Sequence, residues 1–418
     1  MLDIKFIREN LKEVKEMLEK RHFKIEVERL LSLGAKKTSF LQKIELLRAE
    51  RNKVSKKPTS ENKKRGKEIK SELKILEPQL KNIAQDLQTT LWELPNMVHP
   101  DAPVGKDESE NVVVRQWKEP IKFDFEPLDH LEIGKNLDLI DFERGAKVSG
   151  SQFYYFKNDA VLLSFSLMRF ALDCLSKKGF VLIKPPELVK TGVLDGTGYN
   201  PRGSETQLYK IENQDLGLIA TSEIAVAGYL MDEIIFEKDL PLKFAGYSHC
   251  FRTEAGGYGR YSKGLYRIHE FSKAEMFIFC LPSQSEKMHQ LLLETEEEIF
   301  QQLEIPYRVV EMCSGDLGAA AYRKFDLEAW MPSRPPAGGW GEVTSTSNCT
   351  AYQSRRLNIK YRKKDGQLDY LHTLNGTAIA DSRTIIAILE NFQQKDGSVI
   401  VPEVLRKYLG KGKITGLV

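Results

Sequence analysis

The sequence predicts an α+β protein, in which an N-terminal antiparallel two-helix coiled-coil arm precedes a domain with an antiparallel β-sheet flanked by helices. Two observations lead to this prediction. Up to about residue 95 the chain is rich in Lys, Glu and Leu and nearly free of glycine, and apolar residues recur at spacings of three and four. From about residue 106 glycines and aromatic residues appear, and short β-type segments alternate with helical ones. A sheet with helices packed on it is the simplest fold for the second pattern.

The arm is predicted from a heptad pattern, which is typical of helices that pack side by side. The first helix carries Phe40, Ile44 and Leu47, and the second carries apolar residues at spacings of 4, 3, 4, 3 and 4, namely Ile69, Leu73, Leu76, Leu80, Ile83 and Leu87. The helices are expected to meet at residues 56–67, where turn chemistry is offered by Pro58, Ser60, Asn62 and Gly66. Residues 94–105 break the helix, so we expect one domain over 1–103 and another over 104–418.

The bulk composition limits the kind of protein. The 418 residues are 41% hydrophobic and 29% charged, and the net charge of +3 gives no global basic field, so a nucleic-acid partner would need a local patch. The start of the chain lacks the apolar segment of a signal peptide, and no apolar run reaches the length of a membrane span. Five scattered cysteines without a CxxC or Cys/His cluster favour a reducing cytoplasm and no zinc.

Such a local basic patch exists at the tip of the predicted arm. Residues 51–70 contain nine basic and two acidic residues. A stretch of charged residues is commonly a solvated surface, whereas lysines and arginines on a protruding arm could also follow a phosphate backbone. The residues alone leave both interpretations open.

The elements of the second domain are predicted in chain order. A long helix covers 160–180 and ends at Gly179, and a strand follows over 181–189. Two paired strands cover 240–255 and 264–281, a helix covers 284–303, and residues 341–362 have a strand-like pattern. A last helix covers 377–393 and is entered through a turn at Asn375-Gly376.

The second strand of the predicted pair carries an unusual face. Alternate side chains of a strand share a face, and this one would present Leu265, Arg267, His269, Phe271, Lys273 and Glu275 before the strand enters an apolar segment. The strand before it offers Arg252 and Glu254 on one face. Such a cavity would suit a ligand with phosphates, a flat ring and an amine. The alternative is a surface face with weak charge pairs.

The glycine-rich turn between these strands, "AGGYG" at 255–259, is weak evidence. It matches neither GxGxxG nor a P-loop, so a nucleotide would be held by side chains.

Three shorter segments offer further candidate ligands. Thr221 and Glu223 are two apart, although Thr221 or Ser222 could be only a helix N-cap. Glu342 and Thr344 would share a strand face and could hold Mg²⁺ through oxygen atoms, or be ordinary strand residues. Arg383 near the start of a buried helix needs an anion, or else a salt bridge to Asp381 or Glu390.

Together these segments resemble the class II aminoacyl-tRNA synthetases. "FRTEAGGYGRYSKGLYRIHEFSKAE" is similar to motif 2 of that class, "LNGTAIADSRTIIAILENFQQKDGSVIVPEVLRKYL" to motif 3, and "GFVLIKPPELV" to motif 1, which lies at the dimer interface. Within the class the chain resembles the seryl-tRNA synthetase family, in "TSE" at 221–223, "GEVTSTSN" at 341–348, "YQSRRLNIKYR" and the basic N-terminal arm. The resemblance covers essentially the whole chain, and the combination of motifs is specific.

The resemblance implies a serine–tRNA ligase, with a role for each matching residue. ATP would be held by Arg252, Thr253, Glu254, Ile268 (through its backbone), Phe271, Glu342, Val343, Thr344, Ser345 and Arg383. Mg²⁺ would be held by Glu342 and Ser345, and no zinc is expected. L-serine would be bound by Thr221, Ser222, Glu223, Glu275 and Thr377.

The resemblance also implies partners and a place. The enzyme would be a cytoplasmic homodimer without membrane contact, acting on tRNA(Ser) and also on tRNA(Sec) where a host has one. The first domain would bind tRNA through basic residues of the arm, namely Lys53, Lys56, Lys57, Lys63, Lys64, Arg65 and Lys67.

A few letters depart from the family pattern. Glu270 replaces a common glutamine but should point away from the pocket, Thr346 stands in "STSN" where "SCSN" is usual, and Asp381 in "ADSR" could pair with Arg383. Three rival functions are weighed: a class II enzyme for threonine, proline or glycine, a homologue that loads a carrier protein, and a nucleic-acid-binding coiled coil with an inactive synthetase domain. The arm, the lack of zinc ligands and the intact motif residues disfavour all three.

Overall fold

The computed structural model describes residues 1–57, 59–199, 208–254, 263–335 and 338–416. These residues form two compact units, Met1–Met97 and Val98–Val418. In the described part of the chain, no helix has the length and apolar character needed to cross a membrane.

Helices are the only regular elements in the described residues of the first unit. Its helices are α1 (Ile4–Glu9), α2 (Leu11–Lys20), α3 (Val27–Ser55) and α4 (Ser60–Glu93). The arm, formed by α3 and α4, has a core that contains Ile44, Leu47, Ile69 and Leu73, with Val54, Leu76 and Leu80 packed against it. The predicted heptad pattern is therefore confirmed as the contact between the two helices.

The turn at the tip of the arm is shorter than predicted. Thr59 caps α4, and its hydroxyl accepts a hydrogen bond from the Asn62 amide, so Ser60, Asn62 and Gly66 belong to the helix and not to the turn. The Asn62 side chain also donates to the Lys57 carbonyl at 2.6 Å, which closes the connection. The connection is therefore limited to residues 56–59, and not to the predicted 56–67, because Thr59 caps α4; the predicted contribution of Pro58 falls outside the described residues.

The second unit contains nine helices and seventeen strands in its described residues, apart from short 3₁₀ turns. The helices are α5 (His130–Asn136), α6 (Phe142–Ser149), α7 (Asp159–Lys177), α8 (Thr191–Thr197), α9 (Ser222–Gly228), α10 (Ser285–Gln302), α11 (Tyr352–Arg356), α12 (Asp381–Asn391) and α13 (Glu403–Leu409). The strands are β1 (Val112–Trp117), β2 (Ile140–Asp141), β3 (Tyr155–Phe156), β4 (Val181–Ile183), β5 (Leu188–Lys190), β6 (Leu216–Leu218), β7 (Ile234–Phe236), β8 (Leu242–Phe251), β9 (Glu270–Cys280), β10 (Tyr307–Glu311), β11 (Arg323–Met331), β12 (Gly339–Asn348), β13 (Lys360–Arg362), β14 (Leu368–Tyr370), β15 (His372–Ala380), β16 (Val399–Ile400) and β17 (Lys413–Ile414).

Eight of the strands form one large sheet in the order β1-β10-β11-β12-β15-β9-β8-β4. Every neighbouring pair is antiparallel except β4 and β8, which are parallel. The predicted α+β class with a mainly antiparallel sheet is confirmed, and β4 lies at one edge of it.

The two faces of β9 explain why a strand with charges can also enter a core. Ala274, Met276 and Ile278 belong to the main apolar core, which also contains buried residues of α7, α10 and α12. On the opposite face, Phe277 and Phe279 pack in a second cluster with residues of α9 and of the segment after α11. On the face that carries Phe277 and Phe279, the polar residues therefore occupy only the first half of β9, where they line a cavity.

Several element boundaries differ from the sequence prediction. Residues 374–380, predicted as a turn and the start of a helix, lie in β15, and the helix begins only at Asp381. Residues 352–356, predicted as strand-like, form α11. The strand β9 begins at Glu270, so Leu265, Arg267 and His269 precede it, while Arg252 and Glu254 follow the end of β8. The predicted hairpin turn at 255–259 lies outside the described residues.

Candidate active site

A cavity of about 480 Å³ lies over the middle of the large sheet, at residues from β9, β12, β15 and the start of α12. Its volume falls within the range of about 300–1,000 Å³ that is common for small-molecule sites. Twelve of the predicted ligands line it, namely Glu223, Arg252, Glu254, Ile268, Phe271, Glu275, Glu342, Val343, Thr344, Ser345, Thr377 and Arg383. The structure therefore brings together residues that are more than 150 positions apart in the chain.

Three predicted ligands do not line the cavity. The Thr221 hydroxyl caps α9 by accepting from the Glu223 amide at 3.3 Å, so the N-cap alternative is confirmed for this residue. The Ser222 hydroxyl donates to the Gly246 carbonyl at 3.1 Å and is fully buried. Thr253 is also absent from the cavity wall. The first two residues shape the helix that presents Glu223.

One wall of the cavity combines an arginine with an aromatic ring. The Arg252 guanidinium lies 5.2 Å from the centre of the Phe271 ring, and its Nε donates to the Ala220 carbonyl at 3.4 Å. No ion pair within the described residues involves Arg252. A guanidinium without a carboxylate partner beside an open aromatic face is suited to a phosphate that is attached to a flat base.

Glu254 and Arg267 form an ion pair at the same wall, with Arg267 Nη1 donating to Glu254 Oε2 at 2.8 Å. The two strands were expected to place these side chains by simple alternation. Glu254 instead has a φ of 48°, in the left-handed region that L-residues rarely occupy. A backbone reversal after β8, which alternation cannot predict, therefore directs Glu254 toward Arg267.

Arg383 is held by a residue that the sequence prediction did not choose. Its Nη1 lies 3.2 Å from Glu342 Oε2 and donates to the Glu342 carbonyl at 3.1 Å, and its guanidinium lies 4.7 Å from the centre of the Tyr266 ring. The proposed salt bridges to Asp381 and Glu390 are both wrong. Asp381 accepts hydrogen bonds from Ser164 and from two backbone amides, and Glu390 is paired with His130.

A β-bulge controls which residues of β12 face the cavity. The pairing with β11 skips Val343, since Thr344 lies opposite Leu327 and Glu342 opposite Glu328. The Thr344 hydroxyl consequently donates to the buried Glu296 carboxylate of α10 at 2.7 Å, so it does not share a face with Glu342 as predicted. Ser345 lies opposite Asp326 in the same pairing.

Glu342, Ser345, Asp326 and Lys324 form an oxygen-rich cluster with one amine. Burial opposes ionisation of Glu342, but the charges of Arg383, Lys324 and Arg252 lower the pKa of its carboxyl to about 2. Burial raises the pKa of Asp326 to about 7, although Lys324 lies 3.3 Å away and opposes the shift. Lys324 and Asp326 were not foreseen, because the segment around them resembled an ordinary strand.

This cluster fits Mg²⁺ by the chemistry of its donors. Mg²⁺ is commonly bound through one or two carboxylates and substrate phosphates while it keeps several waters. Glu342 supplies an ionised carboxylate and Ser345 a hydroxyl, on the cavity side of β12. In the described residues, no group of three or more His, Cys, Asp or Glu side chains is arranged to hold a metal alone.

The opposite end of the cavity is built around the buried Glu223. Its Oε1 accepts from Gln353 at 2.7 Å and from Asn375 at 3.0 Å, and its Oε2 accepts from the Tyr199 hydroxyl at 2.8 Å. Burial and the nearby Glu275 raise the pKa of Glu223 to about 7. Tyr199, Gln353 and Asn375 were missed, since each stands alone in its segment and only the fold brings them together.

Glu275 lies beside this group and is already partly neutralised. Its Oε2 lies 2.5 Å from Lys273 Nζ and accepts from the Thr377 hydroxyl at 3.0 Å. Lys273 was placed on this face by alternation but was given no role. Two buried carboxylates and one buried ammonium at this end suit a small ligand that carries both an amine and a carboxylate.

The tip of the arm presents basic side chains to solvent. Lys53, Lys56, Lys57, Lys63, Lys64 and Lys67 are all exposed. Arg65 differs, because its guanidinium bonds across the two helices to Glu50 of α3 at 2.8 Å and, within α4, to Glu72 at 3.2 Å. Arg65 therefore ties α3 to α4, and this pairing competes with the phosphate contact that the sequence suggested.

Two family models match the chain. Residues 1–98 match "Seryl-tRNA synthetase N-terminal domain", and residues 208–392 match "tRNA synthetase class II core domain (G, H, P, S and T)". The fold and the cavity thus define a class II aminoacyl-tRNA synthetase.

Relatives that match the full length of the chain identify its family within this class. The chain is 52% identical to a protein named Serine--tRNA ligase from Dictyoglomus turgidum, with 99% of each chain covered. It is also 52% identical to a protein of the same name from Rubrobacter xylanophilus, with 98% of each covered. The chain belongs to the seryl-tRNA synthetase family and is an aminoacyl-tRNA ligase.

Solved structures agree with this family. Seryl-tRNA synthetase from Pyrococcus horikoshii, complexed with ATP, superposes with a TM-score of 0.91 at 42% identity and covers 100% of both chains. Cytoplasmic Serine-tRNA ligase from Naegleria fowleri, in complex with AMP, superposes with a TM-score of 0.88 at 33% identity, covering 100% of this chain and 99% of that one.

Proposed function

We propose that the protein activates L-serine with ATP to form seryl-adenylate and then transfers serine to the 3′ end of tRNA(Ser). The observation that carries the proposal is the division of one cavity into two chemically different ends. One end has an arginine without a carboxylate partner in the described chain, beside an aromatic ring. The other has the buried carboxylates Glu223 and Glu275. The names and bound nucleotides of the similar proteins support the same assignment.

ATP is proposed to bind at the first end. Phe271 stacks on the adenine, Arg252 grips the α-phosphate, and Glu254 completes the nucleotide contacts as the partner of Arg267. No hydrogen bond of the described residues occupies the backbone of Ile268, which leaves that backbone available to the base. Arg383 contacts the outer phosphates once ATP displaces part of its pairing with Glu342.

Serine is proposed to bind at the second end. Glu223 and Glu275 accept the ammonium group, and Thr377 contacts the serine hydroxyl. Thr221 and Ser222 contribute by holding the first turn of α9 in place. Alanine would be disfavoured because the buried polar groups would lose a partner, and larger side chains would be excluded by size.

The chemistry needs no covalent nucleophile from the protein. The serine carboxylate attacks the α-phosphorus and pyrophosphate leaves; the tRNA 3′-terminal hydroxyl then attacks the adenylate carbonyl and AMP leaves. The chain's residues hold the reactants in line, and Arg252 and Arg383 stabilise the negative charge that develops on the phosphates. Glu342 and Ser345, with Val343 and Thr344 fixing the bulge beside them, would hold Mg²⁺, which neutralises phosphate charge.

The arm is proposed to bind the tRNA. Its exposed lysines at 53, 56, 57, 63, 64 and 67 suit contacts with a phosphate backbone, which would make binding strongly dependent on salt. The domain of residues 1–103 would thus select the tRNA, and the remainder would perform the reaction. By the same recognition of shape, tRNA(Sec) is proposed as a further substrate in hosts that contain one.

A homodimer is proposed from the edge of the large sheet. Strand β4 ends the sheet, and Val181 on it is 59% exposed, while Phe165 on the adjoining helix α7 is 61% exposed. Exposed apolar residues at an open sheet edge favour pairing with another chain. Sedimentation velocity would show a dimer that Phe165→Glu weakens; a monomer at micromolar concentration would contradict the proposal.

A cytoplasmic location is proposed from the substrates, since charged tRNA is used in translation. The five cysteines are all free, as is usual in a reducing compartment.

The proposed function is tested by charging tRNA(Ser) with labelled serine. The wild-type enzyme is expected to form seryl-tRNA in the presence of ATP and Mg²⁺, and Glu275→Ala is expected to abolish the reaction without loss of the fold. Equal charging with threonine or alanine would move the specificity to another amino acid, and an unaffected Glu275→Ala variant would remove the serine pocket from this place.

A further inference from the structure

Glu223 is the most completely coordinated carboxylate of the cavity, and its hydrogen bonds are unequal on the two oxygens. The side chain is nearly inaccessible to solvent, since the residue is only 2% exposed. Oε1 accepts from both Gln353 and Asn375, whereas Oε2 accepts only from the Tyr199 hydroxyl within the described residues. A carboxylate oxygen has two lone pairs, so Oε1 is saturated and Oε2 keeps one lone pair for a ligand.

Tyr199 is held rigidly on the side away from its hydroxyl. Gly198, which directly follows helix α8, has a φ of 89°, and the Tyr199 amide donates back to the Leu194 carbonyl at 3.2 Å, as in a Schellman-type helix end. The Tyr199 ring packs against a buried apolar cluster that includes Val193, Leu194 and Ile224. The hydroxyl therefore reaches Glu223 from a fixed anchor and not from a freely rotating loop.

We propose that Tyr199 is a positioning residue for amino-acid recognition, which fixes the Glu223 carboxylate so that the remaining lone pair of Oε2 receives the substrate ammonium. This inference rests on the proposed function, because it takes serine as the ligand of this end of the cavity. Tyr199 acts on serine through Glu223 and takes no part in the nucleotide-binding wall at Phe271. Its loss should therefore affect serine and leave ATP binding unchanged.

The same geometry has a consequence for pH. The charged and titratable groups around Glu223 are Glu275, Lys273, Cys349 and Tyr199, and Arg252 faces Tyr199. Glu223 must be ionised to accept an ammonium group, and burial together with Glu275 raises its pKa to about 7, while the Tyr199 hydrogen bond opposes that rise. Loss of the hydroxyl removes a donor to the ionised form, so the pKa of Glu223 would rise further.

The test is Tyr199→Phe in the full-length enzyme, measured by serine-dependent ATP–pyrophosphate exchange from pH 6 to 9. A hydrogen bond to a charged group contributes enough for a rise of about 10-fold or more in the KM for serine. The KM for ATP should stay within about twofold, and the acid limb of kcat/KM for serine should move to higher pH. The matched control is Tyr229→Phe, because this tyrosine directly follows helix α9, which carries Glu223, and is 58% exposed.

The outcomes separate this inference from the proposed function. If the wild-type enzyme shows serine-dependent exchange, an unchanged KM for serine and an unshifted pH profile in Tyr199→Phe would overturn the positioning role alone. Equal increases in the KM for serine and for ATP would also overturn it, because they would indicate a general disturbance of the cavity. Absence of serine-dependent exchange in the wild-type enzyme would overturn the proposed function and this inference together.

Discussion

At the scale of single residues, the two arginines of the cavity differ in what balances their charge. Both lie near aromatic rings, Arg252 near Phe271 and Arg383 near Tyr266. Arg383 is paired with Glu342, whereas Arg252 makes no ion pair within the described residues. A buried or half-buried cation without a counterion is stabilised by an incoming anion. Of the two arginines, Arg252 should therefore contribute more to binding the phosphates of ATP.

Arg252→Ala is predicted to lower kcat/KM for ATP in pyrophosphate exchange by about 10²–10³-fold, because it removes a fixed donor to the developing phosphate charge. Arg252→Lys should recover only part of this loss, since an ammonium lacks the two-pronged donor geometry of a guanidinium. Arg144→Ala, which removes an exposed arginine paired with Asp141, is the control and should be near wild type. Equal effects of the alanine changes at Arg252 and Arg144 would contradict the assignment.

Asp381 gives a prediction about stability and pH. Burial raises the pKa of this carboxyl to about 6, although hydrogen bonds from Ser164, Ser272 and Ser382 oppose the rise. The folded state therefore holds a proton that the unfolded state has lost, and stability falls as pH rises from about 4 to about 6. Asp381→Asn should stabilise the protein at pH 8 by up to about 3 kcal/mol and should have a much smaller effect near pH 4.5.

Thermal denaturation at pH 4.5, 6 and 8 would measure this difference. Asp365→Asn, in an exposed turn, is the control. A stabilisation of Asp381→Asn that is equally large at all three pH values would refute the electrostatic cause.

The residues that could be predicted are those whose own segment carries an unusual pattern. Arg252, Phe271 and Glu275 stand out because polar residues interrupt segments that lead into a core, and all three line the cavity. Tyr199 and Gln353 could not be found, because a lone tyrosine or glutamine in a short segment has no distinguishing pattern. The suggested pairing of Asp381 with Arg383 was wrong. The two residues lie two positions apart in the first turn of α12, so their side chains point toward different neighbours.

At the scale of elements, one extra residue in β12 determines which side chains of this strand face the cavity. Without the bulge at Val343, Thr344 and Glu342 would share a face; with it, Thr344 bonds to Glu296 in the core and Ser345 remains on the cavity side. A sequence pattern cannot show this change, since alternation assumes an uninterrupted ladder.

Two neighbouring substitutions should therefore have different effects. Ser345→Ala is predicted to raise the Mg²⁺ concentration for half-maximal exchange by about 10-fold, because it removes an oxygen near the proposed ion. Thr344→Val is predicted to lower the free energy of unfolding by about 1–3 kcal/mol, since Glu296 loses its hydrogen-bond donor. Mg²⁺ titration and thermal denaturation of both variants provide the comparison, and a Mg²⁺ effect confined to Thr344→Val would reverse the assignment.

The helices were more predictable than the irregular strands. Helices α3, α4, α7 and α10 follow from long apolar periodicities, which leave little ambiguity. Helix α11 was missed because its five residues are too few to show a period. Residues 377–380 were assigned to a helix because small residues run into α12 without a break, whereas hydrogen bonding to β9 holds them as a strand.

At the scale of the whole molecule, the two compact units are proposed to divide the reaction between activation and tRNA binding. Lys63→Glu combined with Lys64→Glu is predicted to lower kcat/KM for tRNA charging by at least about 10-fold, because lost phosphate contacts weaken binding. Amino-acid activation without tRNA should be unchanged. Arg65 is left intact in this variant because it joins the helices of the arm.

The matched control for the arm carries the same charge change outside the basic run. Lys74→Glu with Lys81→Glu alters two exposed lysines of α4 and should impair charging much less. Equal losses of charging and activation in the Lys63/Lys64 variant would contradict the division of labour.

The central claim is tested most directly by ATP–pyrophosphate exchange without tRNA, with serine, threonine, alanine and glycine compared in parallel. Exchange that depends on serine alone is the predicted result, because the cavity joins a nucleotide wall to a small polar pocket around Glu223 and Glu275. Exchange with another of these amino acids would contradict the specificity while keeping the chemistry. No exchange with any of them, from a folded enzyme supplied with Mg²⁺, would contradict the assignment of this cavity as an adenylate-forming site.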